Sequence, residues 1–130
     1  MKKTVAYIAG PMTGKPDCNR AAFYAAEKRL SSEGFIVLNP AVFPDGLEHH
    51  QYMVMCLAML EQSSVIYMLP GWRDSKGACI EHRRARELGL MIVEGLCDAV
   101  RVVSWPAQAS HVVTGNEGVE NGKAQDPTGA

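Results

Sequence analysis

Short apolar runs alternate with amphipathic segments along most of the chain. Runs of four to six residues, rich in β-branched and aromatic side chains, are typical of buried strands. They predict strands at 4–9, 35–38, 65–69 and 90–93, with a further strand at 99–103. Between the strands, apolar residues recur at helical spacing and predict helices at 18–32, 50–62 and 75–88. The pattern therefore predicts strands and helices in alternation.

This alternation is typical of a parallel sheet with helices on both faces. We predict a single three-layer α/β domain, Rossmann-like or flavodoxin-like, with four to five parallel strands over residues 1–105. Asp17 is the expected N-cap of the first helix, and Arg20 is expected on the side of that helix that faces water. Residues 106–130 are rich in Gly, Asn, Gln, Ser and Thr without apolar periodicity, and are expected to form a flexible tail.

The composition excludes several classes of protein. The chain has 130 residues, of which 21% are charged, and its net charge is −1. Binding to nucleic-acid polymers needs a basic face, which this balance does not supply. No apolar run approaches the roughly 20 residues that a membrane helix needs. No apolar signal segment follows Met1, so we expect a cytoplasmic protein without a membrane partner.

The cysteines and histidines do not follow a metal-binding pattern. Four widely spaced cysteines without a CxxC pair indicate free thiols in a reducing compartment. His49 and His50 precede a helix without a third ligand at metal spacing, and we interpret them as loop or capping residues. We therefore predict neither a metal nor a cofactor.

A glycine-rich loop, Gly10–Gly14, follows the first predicted strand. Its glycines allow backbone N–H groups to approach an anion, and Thr13 offers a hydroxyl. The loop matches neither the dinucleotide fingerprint nor a Walker A motif. On spacing alone, the favoured interpretation of the loop is a tight turn between strand and helix.

A second candidate segment, Ser75–Glu81, follows the third predicted strand. Ser75 is placed to cap the helix, so that the next amides face a phosphate or a sugar hydroxyl. Glu81 lies about one turn further on, where the helix dipole is expected to favour its ionised form. An ionised carboxylate suits attack on an anomeric carbon, whose transition state is positively charged. The competing interpretation, which the residues alone slightly favour, is a glutamate that caps its own helix or pairs with Arg83 or Arg84.

Three segments of the chain resemble a known family. They are YIAGPMTG at 7–14, NPA at 39–41 and YMLPGW…SKGA…E at 67–81. They resemble the phage and bacterial proteins of the DUF4406 family, which is grouped with the nucleoside 2-deoxyribosyltransferase-like proteins. The resemblance covers about residues 4–94. It implies cleavage or transfer of the N-glycosidic bond of a deoxynucleoside or deoxynucleoside 5′-monophosphate, a small-molecule substrate.

The resemblance also implies roles for individual residues. Glu81 would be the nucleophile at C1′, and Tyr7, near the end of the first strand, would steer it. The first loop would line the sugar or its 5′ side. The candidate substrate-binding residues are Gly10, Pro11, Met12, Thr13, Gly14, Trp72, Ser75, Gly77 and Ala78.

Ser75 bears on the choice between nucleoside and nucleotide. In the enzymes that this chain resembles, the sixth residue before the glutamate is an aspartate where the substrate is a free nucleoside. It is a serine in the related monophosphate hydrolase. A neutral donor at a helix N-terminus suits a 5′-phosphate, which an aspartate would repel. The sequence therefore favours a nucleotide.

Two departures from the superfamily pattern leave turnover open. Cys56 and Ser64 stand where related proteins commonly carry acidic residues that protonate the base or orient the sugar. An enzyme is the first hypothesis. A nucleotide-binding or sensing module without turnover is the second, and a structural phage or host-interaction protein is the third. Relatives build their pockets from neighbouring subunits, which implies a homodimer or a larger homo-oligomer.

Overall fold

The computed structural model describes residues 3–95 and 100–104. The predicted tail at 106–130 lies outside the described residues. The regular elements are β1 Val5–Ala9, α1 Arg20–Ser32, β2 Ile36–Leu38, α2 His49–Glu61, β3 Val65–Met68, α3 Lys76–Leu88, β4 Met91–Gly95 and β5 Val100–Ser104. The α/β class is confirmed, and each of these elements begins and ends within two residues of its predicted bounds.

The five strands form one mixed sheet in the order β2-β1-β3-β4-β5. The pairs among the first four strands are parallel, whereas β5 runs antiparallel to β4. The prediction of a wholly parallel sheet is therefore wrong for β5. Only residues 96–99 separate β4 from β5. A parallel neighbour would need a crossover of about a dozen residues or more, so the short connection permits only the antiparallel arrangement.

Two apolar clusters cover the faces of the sheet and make the domain three-layered. On one face, Ala6 and Ile8 of β1 pack with Phe23 and Leu30 of α1. On the other, Tyr7 and Ala9 of β1 pack with buried residues of α2 and α3, among them Cys56, Leu60, Ala78 and Ala85. The alternation of side chains along β1 thus turns Tyr7 towards α2 and α3.

The strand order reverses direction between β1 and β3. The chain leaves β1 for β2 on one side and returns to β3 on the other, and Ala9 is paired with Met68 at the carboxyl ends of the two strands. A crevice opens at such a reversal in open α/β sheets, outside the carboxyl ends of the strands. The loops that follow β1 and β3 meet there.

The entry to α1 differs from its prediction. Asp17, Cys18 and Asn19 have left-handed backbones with φ of 48°, 54° and 61°, and Asn19, not Asp17, precedes the helix. The carboxylate of Asp17 accepts a hydrogen bond from Arg20 Nη1 at 2.9 Å. Asp17 lies two positions before the N-cap residue Asn19, so it does not cap α1, and its carboxylate pairs with Arg20 instead.

Gly10 is required by close packing at the end of β1. A Cβ atom at this position would lie 2.7 Å from Leu69 Cβ, in the loop after β3. We expect Gly10→Ala to lower the free energy of unfolding by about 2 kcal/mol, because one of the two loops must move. Urea denaturation checks this expectation. An unchanged free energy of unfolding would contradict the close packing of the two loops.

Candidate active site

A cavity of about 160 Å³ opens at the reversal between β1 and β3. One wall is built from Tyr7 of β1, Cys56 of α2 and the first turns of α3 as far as Glu81. The opposite wall comes from the loop after β1, the start of α1 and the segment 40–45 that follows β2.

Tyr7 and Glu81 form a buried hydrogen-bonded pair in this cavity. The Tyr7 hydroxyl donates to Glu81 Oε2 at 2.7 Å. Tyr7 is 0% exposed and Glu81 is 6% exposed, although both line the cavity. A short bond to a phenol fixes the orientation of the carboxyl group and leaves Oε1 for another partner. The pair joins two residues that are 74 positions apart in the sequence.

Burial, and not the helix dipole, controls the ionisation of Glu81. Desolvation raises the pKa of its carboxyl to about 7, while hydrogen bonding by Tyr7 and Cys56 acts in the opposite direction. The expectation that the dipole favours the charged form is therefore corrected. Glu81 is the sixth residue of α3, and the dipole acts mainly within the first turn. Near neutral pH the carboxyl exists in both protonation states.

The two other acidic groups beside Glu81 stay neutral. Burial and the neighbouring Glu81 carboxylate raise the pKa of the Tyr7 hydroxyl well above its ordinary value. The same two causes raise the pKa of the Cys56 thiol to about 12. Tyr7 therefore remains a donor to Glu81, and Cys56 is a weak acid at this position.

Ser75 caps α3 at the cavity wall. Its backbone is extended, and its Oγ accepts a hydrogen bond from the Ala78 N–H at 3.1 Å, as an N-cap does. The hydroxyl hydrogen remains available for a ligand oxygen. Gly77 allows α3 to pack closely against α2, since a Cβ at this position would lie 3.3 Å from Met53 Sδ of α2. The helix N-terminus thus faces the same cavity as Glu81.

Most of the residues predicted for the site line the cavity. They are Tyr7, Gly10, Met12, Thr13, Ser75, Gly77, Ala78 and Glu81. Pro11, Gly14 and Trp72 are not part of its wall. The Trp72 ring is instead stacked on His82, with ring centroids 4.3 Å apart, and the Arg73 guanidinium lies 4.5 Å from the Trp72 ring centroid. Trp72 packs at the side of α3 and does not reach the cavity.

The ion-pair alternative for Glu81 does not hold in the described chain. Arg84 pairs with Glu61 at 3.2 Å and with Glu87 at 3.1 Å, on the surface of α2 and α3. Arg83 is exposed, whereas Glu81 is buried beside Tyr7. A buried carboxylate that has no cationic partner among the described residues is costly, and such groups cluster at functional sites.

The structure separates Cys56 and Ser64, the two positions where an acidic residue was expected. Cys56 lines the cavity with Tyr7 and Glu81. Ser64 lies at the opposite end of the sheet, where its N–H donates to Val5 O and its carbonyl accepts from Met91 N. Ser64 is therefore not part of the cavity wall, and only the departure at Cys56 bears on the site.

Several lining residues were not predicted. His49, Tyr52 and Met53 come from α2, and the others come from the opposite wall. The Arg20 side chain is 19% exposed and does not face open water as expected, because its guanidinium bonds to backbone and carboxylate oxygens of the segment after β2. The nearest sequence signal is Asn39 in the NPA motif. Its side chain accepts from Ala41 N and donates to Glu27, and this anchors that segment to α1. The unpredicted lining residues include Arg20, Phe23, Pro40, Phe43, Asp45, His49, Tyr52 and Met53.

The described residues contain no group of three or more His, Cys, Asp or Glu side chains arranged to hold a metal ion. Within the same residues, no helix is long and apolar enough to cross a membrane.

Comparison with known proteins identifies the family of the chain. The sequence pattern of a domain of unknown function, DUF4406, matches residues 4–94. The match includes β1 to β3, both loops, α3 and Tyr7 with Glu81. No curated protein matches the chain. The chain belongs to the DUF4406 family.

Proposed function

We propose that the protein cleaves or transfers the N-glycosidic bond of a deoxynucleoside 5′-monophosphate, with Glu81 as the nucleophile. The observation that carries this proposal is the buried Tyr7–Glu81 pair, whose 2.7 Å bond orients a carboxylate towards a cavity at the carboxyl edge of the sheet. A carboxylate held in this way suits attack on the anomeric carbon of a sugar.

The proposed reaction has two steps. Ionised Glu81 attacks C1′, the C1′–N bond breaks, and the base leaves with the bonding electron pair and takes up a proton. Water, or the nitrogen of a second base, then attacks C1′ of the glycosyl-Glu81 ester and releases the carboxylate. Attack by water gives hydrolysis, and attack by a second base gives transfer. Both begin from the same β-linked substrate.

The ends of the cavity support a nucleotide as the substrate. Ser75 Oγ and the first amides of α3 offer neutral donors and a positive dipole end to a 5′-phosphate. Glu81 lies six residues after Ser75 on the same helix, which is about 1.7 turns. This spacing would place a sugar between the phosphate site and the carboxylate. Membership of the nucleoside 2-deoxyribosyltransferase-like superfamily, with its three-layer fold, is part of the same proposal.

The proposal is tested by incubating the protein with each deoxynucleoside and each deoxynucleoside 5′-monophosphate. Free base is then measured by chromatography. Release from at least one monophosphate is the expected result. If none of the compounds releases free base, the proposed enzymatic activity is refuted.

Tyr7→Phe is expected to shift the pH dependence of the reaction. In the wild type, kcat/KM should rise as the pH passes about 7, because Glu81 must be ionised to attack. The Tyr7 hydroxyl favours that ionised form, so its removal should move the midpoint to higher pH and lower kcat/KM at pH 7 about tenfold. The measurement is kcat/KM for base release between pH 5 and pH 9. An unchanged midpoint would contradict the steering role of Tyr7.

A nucleotide-binding protein without turnover is a second candidate, and Cys56 favours it. The departing base needs a proton, and a thiol with a pKa of about 12 is a poor acid for that step. Thermal stabilisation by a deoxynucleotide, without release of base by the wild type, would support this candidate over the enzyme.

A further inference from the structure

The wall opposite Glu81 carries an organised charged group centred on Arg20. Its Nε donates to Ala41 O at 3.1 Å, and its Nη2 donates to Phe43 O at 3.3 Å and to Asp45 Oδ1 at 2.7 Å. Its Nη1 donates to Asp17 Oδ1 at 2.9 Å. All three guanidinium nitrogens therefore bond to the protein, so Arg20 holds the segment after β2 and is not free to clamp a phosphate.

Asp45 is the group that this arrangement presents to the cavity. Its Oδ1 accepts from Arg20 and, at 3.8 Å, from Cys18 Sγ. Hydrogen bonding and charge from Arg20 lower the pKa of Asp45, so the carboxylate is ionised at neutral pH. In the described residues no hydrogen bond uses Oδ2. Asp45 lines the cavity and thus offers an oriented oxygen that only accepts hydrogen bonds.

Apolar side chains line the same cavity as this carboxylate, whose own side chain is 75% exposed. Phe43 and Pro40 belong to the segment that ends at Asp45, and Phe23 follows Arg20 by one turn of α1. Met12 contributes from the loop after β1. A flat ring packs well against such a surface, and one edge of it would then face Asp45. The wall thus suits a nucleobase, while the N-terminus of α3 suits a phosphate.

We propose that Asp45 is a specificity residue that selects nucleobases with an exocyclic amino group. The amino group would donate to Oδ2, as cytosine N4 does to carboxylates. A carbonyl in the same place, as in uracil, would meet a second acceptor and be rejected. This inference rests on the proposed function, because it assumes that a deoxynucleotide occupies the cavity.

The experiment compares ligands that differ at that group and in the protonation of the ring nitrogen beside it. Deoxycytidine monophosphate is compared with deoxyuridine monophosphate, and deoxyadenosine monophosphate with deoxyinosine monophosphate. Dissociation constants are measured by calorimetry in a Glu81→Gln background, so that no ligand is consumed. In at least one pair we expect the amino-bearing ligand to bind about tenfold more tightly. Asp45→Asn should reduce that preference to within about twofold.

Asp17→Asn provides a matched control. Asp17 bonds to the same guanidinium, and its side chain is 77% exposed against 75% for Asp45, but it is not part of the cavity wall. This variant should retain the preference. An equal loss in both variants would mean that the effect passes through Arg20, and it would overturn the inference. An Asp45→Asn variant that weakens all four ligands equally would point to a sugar contact and would overturn it as well.

The remaining outcomes separate this inference from the proposed reaction. Base release by the wild type without a preference for amino-bearing ligands would overturn the role of Asp45 alone. The preference without base release would support Asp45 and refute the reaction. Failure of all four monophosphates to bind would overturn the role of Asp45 together with the proposed class of ligand.

Discussion

Glu81→Gln is expected to reduce the release of free base from a deoxynucleoside monophosphate by roughly 10³-fold or more. Glutamine has nearly the same shape and can still accept the Tyr7 hydrogen bond, but its amide does not form the glycosyl ester. The measurement is kcat for base release at saturating substrate and pH 8. Activity within tenfold of the wild type would contradict the assignment of Glu81 as the nucleophile.

The same variant also tests whether an ionisable group is buried at position 81, through the pH dependence of protein stability. The folded-state pKa of Glu81 is about 7, above the ordinary value of 4.5, so its contribution to stability is present below pH 4.5 and is lost as the pH rises through about 7. The loss amounts to about 3 kcal/mol. Wild-type stability relative to Glu81→Gln should therefore fall across this window. A difference that does not vary with pH would contradict the burial of an ionisable group at this position.

Ser75→Asp is expected to discriminate against phosphate with little change in the fold. Aspartate is as good an N-cap as serine, so α3 should begin at the same residue. Its negative charge at the cavity wall should repel a 5′-phosphate. The affinity for deoxynucleoside monophosphates should therefore fall about tenfold or more. Free deoxynucleosides should bind with nearly unchanged affinity. Calorimetry with matched nucleoside and nucleotide pairs measures the difference.

Ser75→Asn is the matched control for this substitution. Asparagine also caps helices and has the size of aspartate, but it carries no charge. It should leave monophosphate binding within about threefold of the wild type. If Ser75→Asp and Ser75→Asn lower the affinity for monophosphates equally, the loss of affinity reflects the size of the side chain and not its charge. Equal losses for nucleosides and nucleotides would remove the case for a phosphate at the N-terminus of α3.

The sequence predicted the parts of the site that depend on local pattern. β1, β3 and α3 have clear periodicities, and Gly89 ends α3 in a left-handed conformation as glycine commonly does at this position. Strand and helix order then bring the two loops to the same edge of the sheet. Tyr7 and Glu81 follow from the resemblance of their motifs, and their hydrogen bond adds the geometry that no spacing provides.

The parts that the sequence did not predict depend on contacts between distant residues. Arg20 looks like a solvent-facing helix residue, and only the fold shows that it binds Asp45, 25 positions away. The ionisation of Glu81 depends on how completely α2 and β1 cover it, which a position in a helix does not reveal. Trp72 lies within a site motif, but it packs beside His82, away from the cavity.

The central claim is that Glu81 forms a covalent bond to C1′, and the stereochemistry of the product tests it most directly. The wild type is incubated with the four deoxynucleoside 5′-monophosphates in water that contains methanol, and the methyl glycoside is identified by nuclear magnetic resonance. Two displacements at C1′ retain the configuration of the substrate, so a β-methyl glycoside is the predicted product. An α-methyl glycoside, which a single direct displacement would give, or no release of base from any of the four, would contradict the account.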